Sequence, residues 1–353
     1  MDRFEVRVSI TKVLLILLLV IVPLSVVGLV LTQRSDRSTD ESIGNDFKTI
    51  AQLYANDVSQ NMLGLVAAVR ALASDPVVVS STSGAQKAGA AGKGGGMLAS
   101  NASQLLHERR ILDPRYLSIV VTNADGDVVA ASQQPSKTSY AGETSWQGVY
   151  NNGKGGVKIS DIVEDEYSKA YYVNIGVPIM DAASGTAKGV LSAAVNITDL
   201  LARFRQAQIA NGARAELVND DGTVISAPNA DVFARAKSQE FDALRDQNVS
   251  FQGNQTGWQM ASLQTGPHIV GFAATGLKQP FENLGWVVLV SQAEHQAAAP
   301  IRQLEHFALI MVILALFMLT LLCVYYFIHR TQKFEDIEGV LPADRGKATA
   351  ASR

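Results

Sequence analysis

The sequence predicts an α+β chain: two antiparallel-sheet modules in tandem beside a long N-terminal helix, flanked by two transmembrane helices. Three observations lead there. Uninterrupted apolar runs, Val13 to Leu31 and Phe307 to Ile328, stand near the two ends. A periodic apolar stripe follows the first run, and strand signals between the runs recur at a constant offset.

Each run approaches the ~20 residues a helix needs to cross hydrocarbon, and neither contains a charge. A cleaved signal peptide is the alternative for the first, but the run is long for such a segment and no small-x-small cleavage site follows. Arg3, Arg7 and Lys12 precede the first span and Arg330 and Lys333 follow the second, against Arg34, Arg37 and Arg302 on the other side. The positive flanks are expected on the cytoplasmic side of an inner membrane. The expected layout is therefore a cytoplasmic N-terminus at 1–12 and a span at 13–31. An extracytoplasmic or periplasmic domain at 32–306, a second span at 307–328 and a short cytoplasmic tail at 329–353 follow.

The domain between the spans contains no cysteine, since Cys323 lies in the second run, so no disulfide framework is available to it. A net charge of -3 provides no electrostatic footprint for nucleic acid. Its length suffices for two modules, each able to bury a core.

The division is visible as a repeat. Val120 to Ala130 and Leu217 to Ser226 both read as strand, Asp-Gly turn, strand, and Gly126 and Gly222 stand 96 positions apart. The same offset carries Tyr172 to Ile179 onto His268 to Thr275, and Gly189-Val-Leu onto Gly285-Trp-Val. Three coincident signals predict two similar sheets, in modules at about 100–200 and 201–300.

Ahead of the repeat, Ile43, Phe47, Ile50, Tyr54, Val58, Met62, Leu65, Val69 and Leu72 recur at threes and fours and predict a helix over 43–72. Asp75-Pro76 ends it, because proline disfavours helix in the residue before it. The Gly-, Ala- and Ser-rich stretch 80–96 reads as a mobile loop. Its Gly92-Lys93 is followed by glycine instead of the hydroxyl residue that a phosphate loop uses. A second helix is expected over 100–112, stopped by Asp113-Pro114.

Nothing marks an enzyme. The five histidines are scattered without metalloprotease spacing, and no Gly-x-Ser-x-Gly elbow occurs. Asn123, Asp125 and Asp127 begin like a calcium loop, but its later glycine and closing glutamate are missing, so a hairpin turn is the better reading. No metal and no cofactor is expected.

The helix rising from the first span, Tyr116 to Ser132, Trp146 to Tyr150, Ile159 to Asp161, Tyr172 to Ile179 and Gly189 to Leu191, in this order and spacing, resemble the double Cache sensor domains of bacterial receptors. The resemblance covers roughly residues 35–300. It implies two PAS-like modules, with a small ligand held in the membrane-distal one and the change relayed by the proximal one. The aromatic-rich stretch Tyr140 to Tyr172 then supplies the candidate ligand-binding residues Tyr140, Trp146, Tyr150, Asp165, Tyr167 and Tyr171, with aromatic area for the ligand and a carboxylate to orient it. Packing over the sheet is the alternative for the aromatics, and a solvated acidic loop for Asp165 and its neighbours. The family's best-known amino-acid pattern has an Arg two residues before the Trp, an aromatic directly after it and an Asp in the strand near 189–195. Here those positions are Thr144, Gln147 and Ala194, so that specificity is not carried over.

The tail after the second span has no HAMP-like linker, kinase, cyclase or methyl-accepting coiled coil. The implied protein is a membrane receptor subunit, a homodimer embedded in the lipid bilayer, that passes its signal to a separate partner. A truncated chemoreceptor or sensor kinase, or a membrane-anchored scaffold without ligand, is the alternative.

Overall fold

The apolar stripe folds as helix α1, Ile10–Ala73, longer than the 43–72 that periodicity alone marks out. In the computed structural model, residues 10–83 and 95–297 are described, apart from 208, 210 and 211, together with helical stretches at 309–310, 313–314, 316–318, 320–321 and 324–325. Side chains are described from residue 39 onward. Contacts divide the chain into two units, 37–297, and 1–36 with 298–353.

Asp75 ends α1 and starts α2, Pro76–Ser83: its carboxylate accepts from the Val77 N–H at 2.9 Å, and the chain bends by 58°. The stretch 80–96, expected as a loop, is helical at both ends, where α2 continues through Ser83 and α3 begins at Gly95 (Gly95–Leu98); residues 84–94 lie outside the described residues. Helix α4, Asn101–Leu112, is N-capped by Ser100, whose hydroxyl accepts from the Ser103 N–H.

The first sheet contains β1 (Tyr116–Asn123), β2 (Val128–Ala131), β3 (Lys158–Ile159), β4 (Val163–Glu164), β5 (Tyr171–Met180) and β6 (Ala187–Asn196), with α5 (Thr144–Tyr150) between β2 and β3. Helix α6 (Thr198–Arg205) leads to the second sheet: β7 (Arg214–Val218), β8 (Val224–Ser226), β9 (Thr256–Leu263), β10 (Gly266–Ala274) and β11 (Val287–Ala293), with α7 (Gln239–Asp246) after β8 and α8 (Glu294–Ala297) last. The orders are β2-β1-β6-β5-β3 and β8-β7-β11-β10-β9, antiparallel throughout, the same topology twice. At both Asp-Gly turns the glycine has positive φ, +84° at Gly126 and +82° at Gly222, and its N–H bonds back to Asn123 or Asn219.

One face of each sheet packs on α1. Phe47, Ala51, Ala55, Val58, Met62, Val66 and Val69 are buried in a core shared with Ile119, Ile175 and Leu191 of the first sheet and Ile269, Ala273 and Val288 of the second. Strand alternation accounts for it, since odd-numbered residues of β5, Val173 to Ile179, face that core. At β10 the helix backbone lies against the strand: a Cβ on Gly271 would sit 2.3 Å from the Phe47 carbonyl carbon.

Among the described residues no single helix is long and apolar enough to cross a membrane. The bent pair α1–α2 passes on length and composition, but its apolar face is buried in this core. The side chains of 13–31 and much of 307–328 lie outside the described residues.

Gly271→Ala forces α1 off β10 and should cost about 1–3 kcal/mol, read as a lower urea midpoint at unchanged m-value. In the β5–β6 turn, Lys188 and Ser184 hold the Asp181 carboxyl down to about 2. The contribution is complete above the unfolded value near ~4 and lost as pH falls through about 2. Asp181→Asn should therefore melt less steeply with acidification across that window than the parent.

Candidate functional site

The even-numbered residues of the same strands face away from α1. Ser118, Val120 and Thr122 of β1, Tyr172, Asn174 and Gly176 of β5, and Val190, Ser192 and Ala194 of β6 floor a cavity of about 830 Å³. Helix α5 and the segments before it and after β3 wall it.

Strand register shows why this space is open. Thr122, Asn174, Gly176 and Ser192 correspond in the second sheet to Val218, Val270, Phe272 and Leu289. There the apolar set, with Phe241, Leu244 and Phe251, closes into a second core. In the first sheet small and polar residues leave the volume unfilled, within the range that small-molecule sites occupy.

Trp146 Nε1 donates to the Thr122 hydroxyl at 2.7 Å, and Thr122 donates to the Val190 carbonyl at 3.2 Å. The Tyr150 ring stacks on the indole at 4.9 Å. The N–H of Trp146 is thus held by the floor and its ring is backed by Tyr150.

Of the residues singled out from the sequence, Tyr140, Trp146, Asp165 and Tyr167 line the cavity. Tyr167 is 95 % exposed and stands at the rim. Tyr150 and Tyr171 do not line it: the first supports Trp146 from behind, and the second packs on Phe233 with the Arg205 guanidinium 5.4 Å above its ring. Asp165 is occupied by its own turn, accepting from the Ser168 N–H and hydroxyl, and these bonds hold its carboxyl below the usual range. Burial, followed by the Asp165 charge, pushes the Tyr172 phenol up.

Lys158 is the only cation among the described lining residues, and its ammonium lies 3.4 Å from Glu282 of the second module. Asn283, also lining, donates to the Ile159 carbonyl at 3.3 Å. Thr144 and Ala194 line the cavity; Gln147 instead donates to the Ala141 carbonyl. Sequence reasoning missed Ser118, Thr122, Asn174, Ser192, Lys158 and Asn283. The alternation of small polar residues with buried aliphatic ones in β1, β5 and β6 was the available signal for the floor; nothing local marked Asn283.

Residues 35–301 match the Cache domain family in its double form. No curated protein sequence matches the chain. Among solved structures, the fold is similar to the sensory domain of the Campylobacter jejuni chemoreceptor CcmL with isoleucine bound, at 13% identity and a TM-score of 0.55, covering 74% of this chain and 97% of that one. It is also similar to the ligand-binding domain of the Pseudomonas aeruginosa PAO1 amino-acid chemoreceptor PctC in complex with GABA, at 14% identity and 0.52, covering 71% and 99%. A third, the ligand-binding domain of the Pseudomonas fluorescens chemoreceptor CtaA with L-isoleucine, aligns at 12% identity and 0.50, covering 75% and 98%.

Thr122→Val keeps the shape and removes the acceptor of the indole N–H. It should cost about 1–3 kcal/mol and shift tryptophan emission, whereas Ser136→Ala at the exposed rim should leave both unchanged.

Proposed function

Because the chain belongs to the Cache domain family, we propose that it is the sensing subunit of a bacterial membrane receptor and binds a small extracytoplasmic ligand in the cavity beneath Trp146. The observation that carries the reading is the exchange of a filled core in the second sheet for small and polar residues at the same positions of the first. A cavity kept at the expense of apolar burial loses stability unless something occupies it.

The relatives named above were crystallised with isoleucine or GABA. A similarly small ligand suits this volume, but the described lining residues include no arginine, and Lys158 offers a single point charge where a fork would grip a carboxylate in two places. A ligand with an extended apolar or aromatic body against Trp146, and polar groups toward Ser118, Asn174 and Ser192, fits best.

The reading includes two spans, at 13–31 and 307–328, with 32–306 on the periplasmic side. In its support, Leu309, Ile313 and Phe317 are 50, 57 and 62 % exposed, a helical apolar surface suited to lipid or to a second copy in a homodimer. Signalling would pass to a separate partner. Lys158–Glu282 and Asn283 link the cavity to the loop carrying Phe281, which packs into the core beside α1. A ligand biases that linkage only through different affinities for its two arrangements.

The test is a melting-temperature screen of the full chain in detergent against small metabolites. A ligand at a hundred times its dissociation constant should add about 2.7 kcal/mol. Trp146→Ala should abolish the shift with the fold intact, and Tyr167→Ala, at the rim, should weaken it less. A folded protein with no shift across a broad set removes the sensor reading in favour of a scaffold.

A further inference from the structure

The cavity beneath Trp146 keeps neutral polar groups on its floor. In one row across the sheet Ser118 of β1 and Asn174 of β5 flank Ala194 of β6, and in the next row Ser192 of β6 lies between Val120 and Gly176. Strands stand ~4.8 Å apart and alternate residues ~7 Å apart along a strand, so two hydroxyls and one amide occupy three sides of Ala194. Among the described residues none of these three side chains has a hydrogen-bond partner, whereas Thr122 on the same floor is engaged by Trp146 and Val190. Asn174 is fixed by its backbone instead: its N–H donates to the Ser160 hydroxyl and its carbonyl accepts from the Ser160 N–H, each at 2.9 Å.

The charged groups are engaged elsewhere. Of the described lining residues, Glu143 pairs with Lys137, Lys158 lies 3.4 Å from Glu282, and Asp165 accepts from the Ser168 N–H and hydroxyl. The Glu143 and Lys158 side chains are 34 and 50 % exposed, so both stand at the water-facing edge. A charged group carried down to the floor would exchange its hydration for neutral dipoles, which disfavours it.

We propose that the ligand of this cavity is an uncharged flat ring with an amide-type edge, a C=O beside an N–H, as in a lactam or a nucleobase. The proposal rests on the ligand-site reading above and specifies the ligand. Asn174 decides the edge: its side chain presents a carbonyl oxygen and an N–H donor side by side, which complements a donor and an acceptor side by side. The hydroxyls of Ser118 and Ser192 serve in either sense. Tyr140, Trp146 and Tyr172 in the lining supply area for a flat body. A sugar fits less well, because the polar groups free on the floor are fewer than its hydroxyls need. Isoleucine and GABA, present in the related structures, each bring two charges for which the floor has no counterpart.

The experiment is calorimetric titration of the full chain in detergent with uracil and with hypoxanthine, against L-isoleucine, GABA and D-glucose. One saturable site is expected for a heterocycle, lost in Trp146→Ala and equally strong at low and high salt, since no charge is shared. Asn174→Asp, nearly isosteric at a side chain that holds nothing else in the fold, should weaken it by about tenfold, the worth of one hydrogen bond. Absence of binding by both heterocycles overturns the proposal, as does wild-type affinity in a folded Asn174→Asp. Should that variant not melt cooperatively, wild-type affinity in Asn174→Ala overturns it instead. Binding of isoleucine, GABA or glucose alone, lost in Trp146→Ala, keeps the sensor reading and overturns only the ligand class; a folded protein that responds to no compound of the melting screen overturns both.

Discussion

Everything in the 37–297 unit depends on one apolar helical stripe serving two sheets. From Phe47 to Ala73 the buried residues of α1 recur at threes and fours, so a single line of side chains serves β10 and β11 of the second sheet and β1, β5 and β6 of the first, with its Phe47 end on β10. Each large aliphatic residue buried there contributes roughly 1.5–3 kcal/mol. Close approach is a second requirement. Ala51 and Ala55 are fully buried, and the helix backbone at Phe47 lies against Gly271, where any larger residue would part the layers. Neither module has an independent core on this face: the cluster is continuous from Ile119 to Val288.

With one face of each sheet committed to α1, the duplicated fold is free to diverge on the other. The second sheet closes its outer face with Phe241, Phe251 and Phe272: Phe241 stacks on Phe251 at 4.5 Å, and Phe251 meets Phe272 edge-on at 5.6 Å. The first leaves the equivalent positions to Thr122, Asn174, Gly176 and Ser192. One module thereby has a filled outer face and the other has space. Thr122 spans the two needs: buried, bonded to the Val190 carbonyl, and holding the Trp146 indole.

The modules also meet beside the open cavity. Asn283 and Glu282 come from the β10–β11 connection of the second module yet bond to Ile159 and Lys158 of the first. Phe281, one residue earlier, is buried in the α1 core. Only a few residues therefore separate Lys158 from the helix that organises both sheets. Tyr171 of the first module packs on Phe233 of the second, a further contact across the same boundary.

The order of elements was legible in the sequence because its signals are local. The 3.6-residue stripe of α1, the Asp75-Pro76 break, the Ser100 start of α4 and the Asp-Gly turns are each properties of a few neighbouring residues, and the repeat offset revealed the duplication, 96 residues at β1/β7 and β5/β10 and one more at β6/β11. Composition likewise drew attention to Tyr140, Trp146, Asp165 and Tyr167. What tertiary structure decided was direction and partnership. Tyr150 and Tyr171 belong to the same aromatic stretch, but one lies behind Trp146 and the other turns toward Phe233. Lys158 meets a glutamate 124 positions away, and Glu216 and Glu240 converge on Arg214 from a strand and a helix. Such meetings depend on strand register and packing between distant segments, whereas periodicity and turn chemistry act between neighbours.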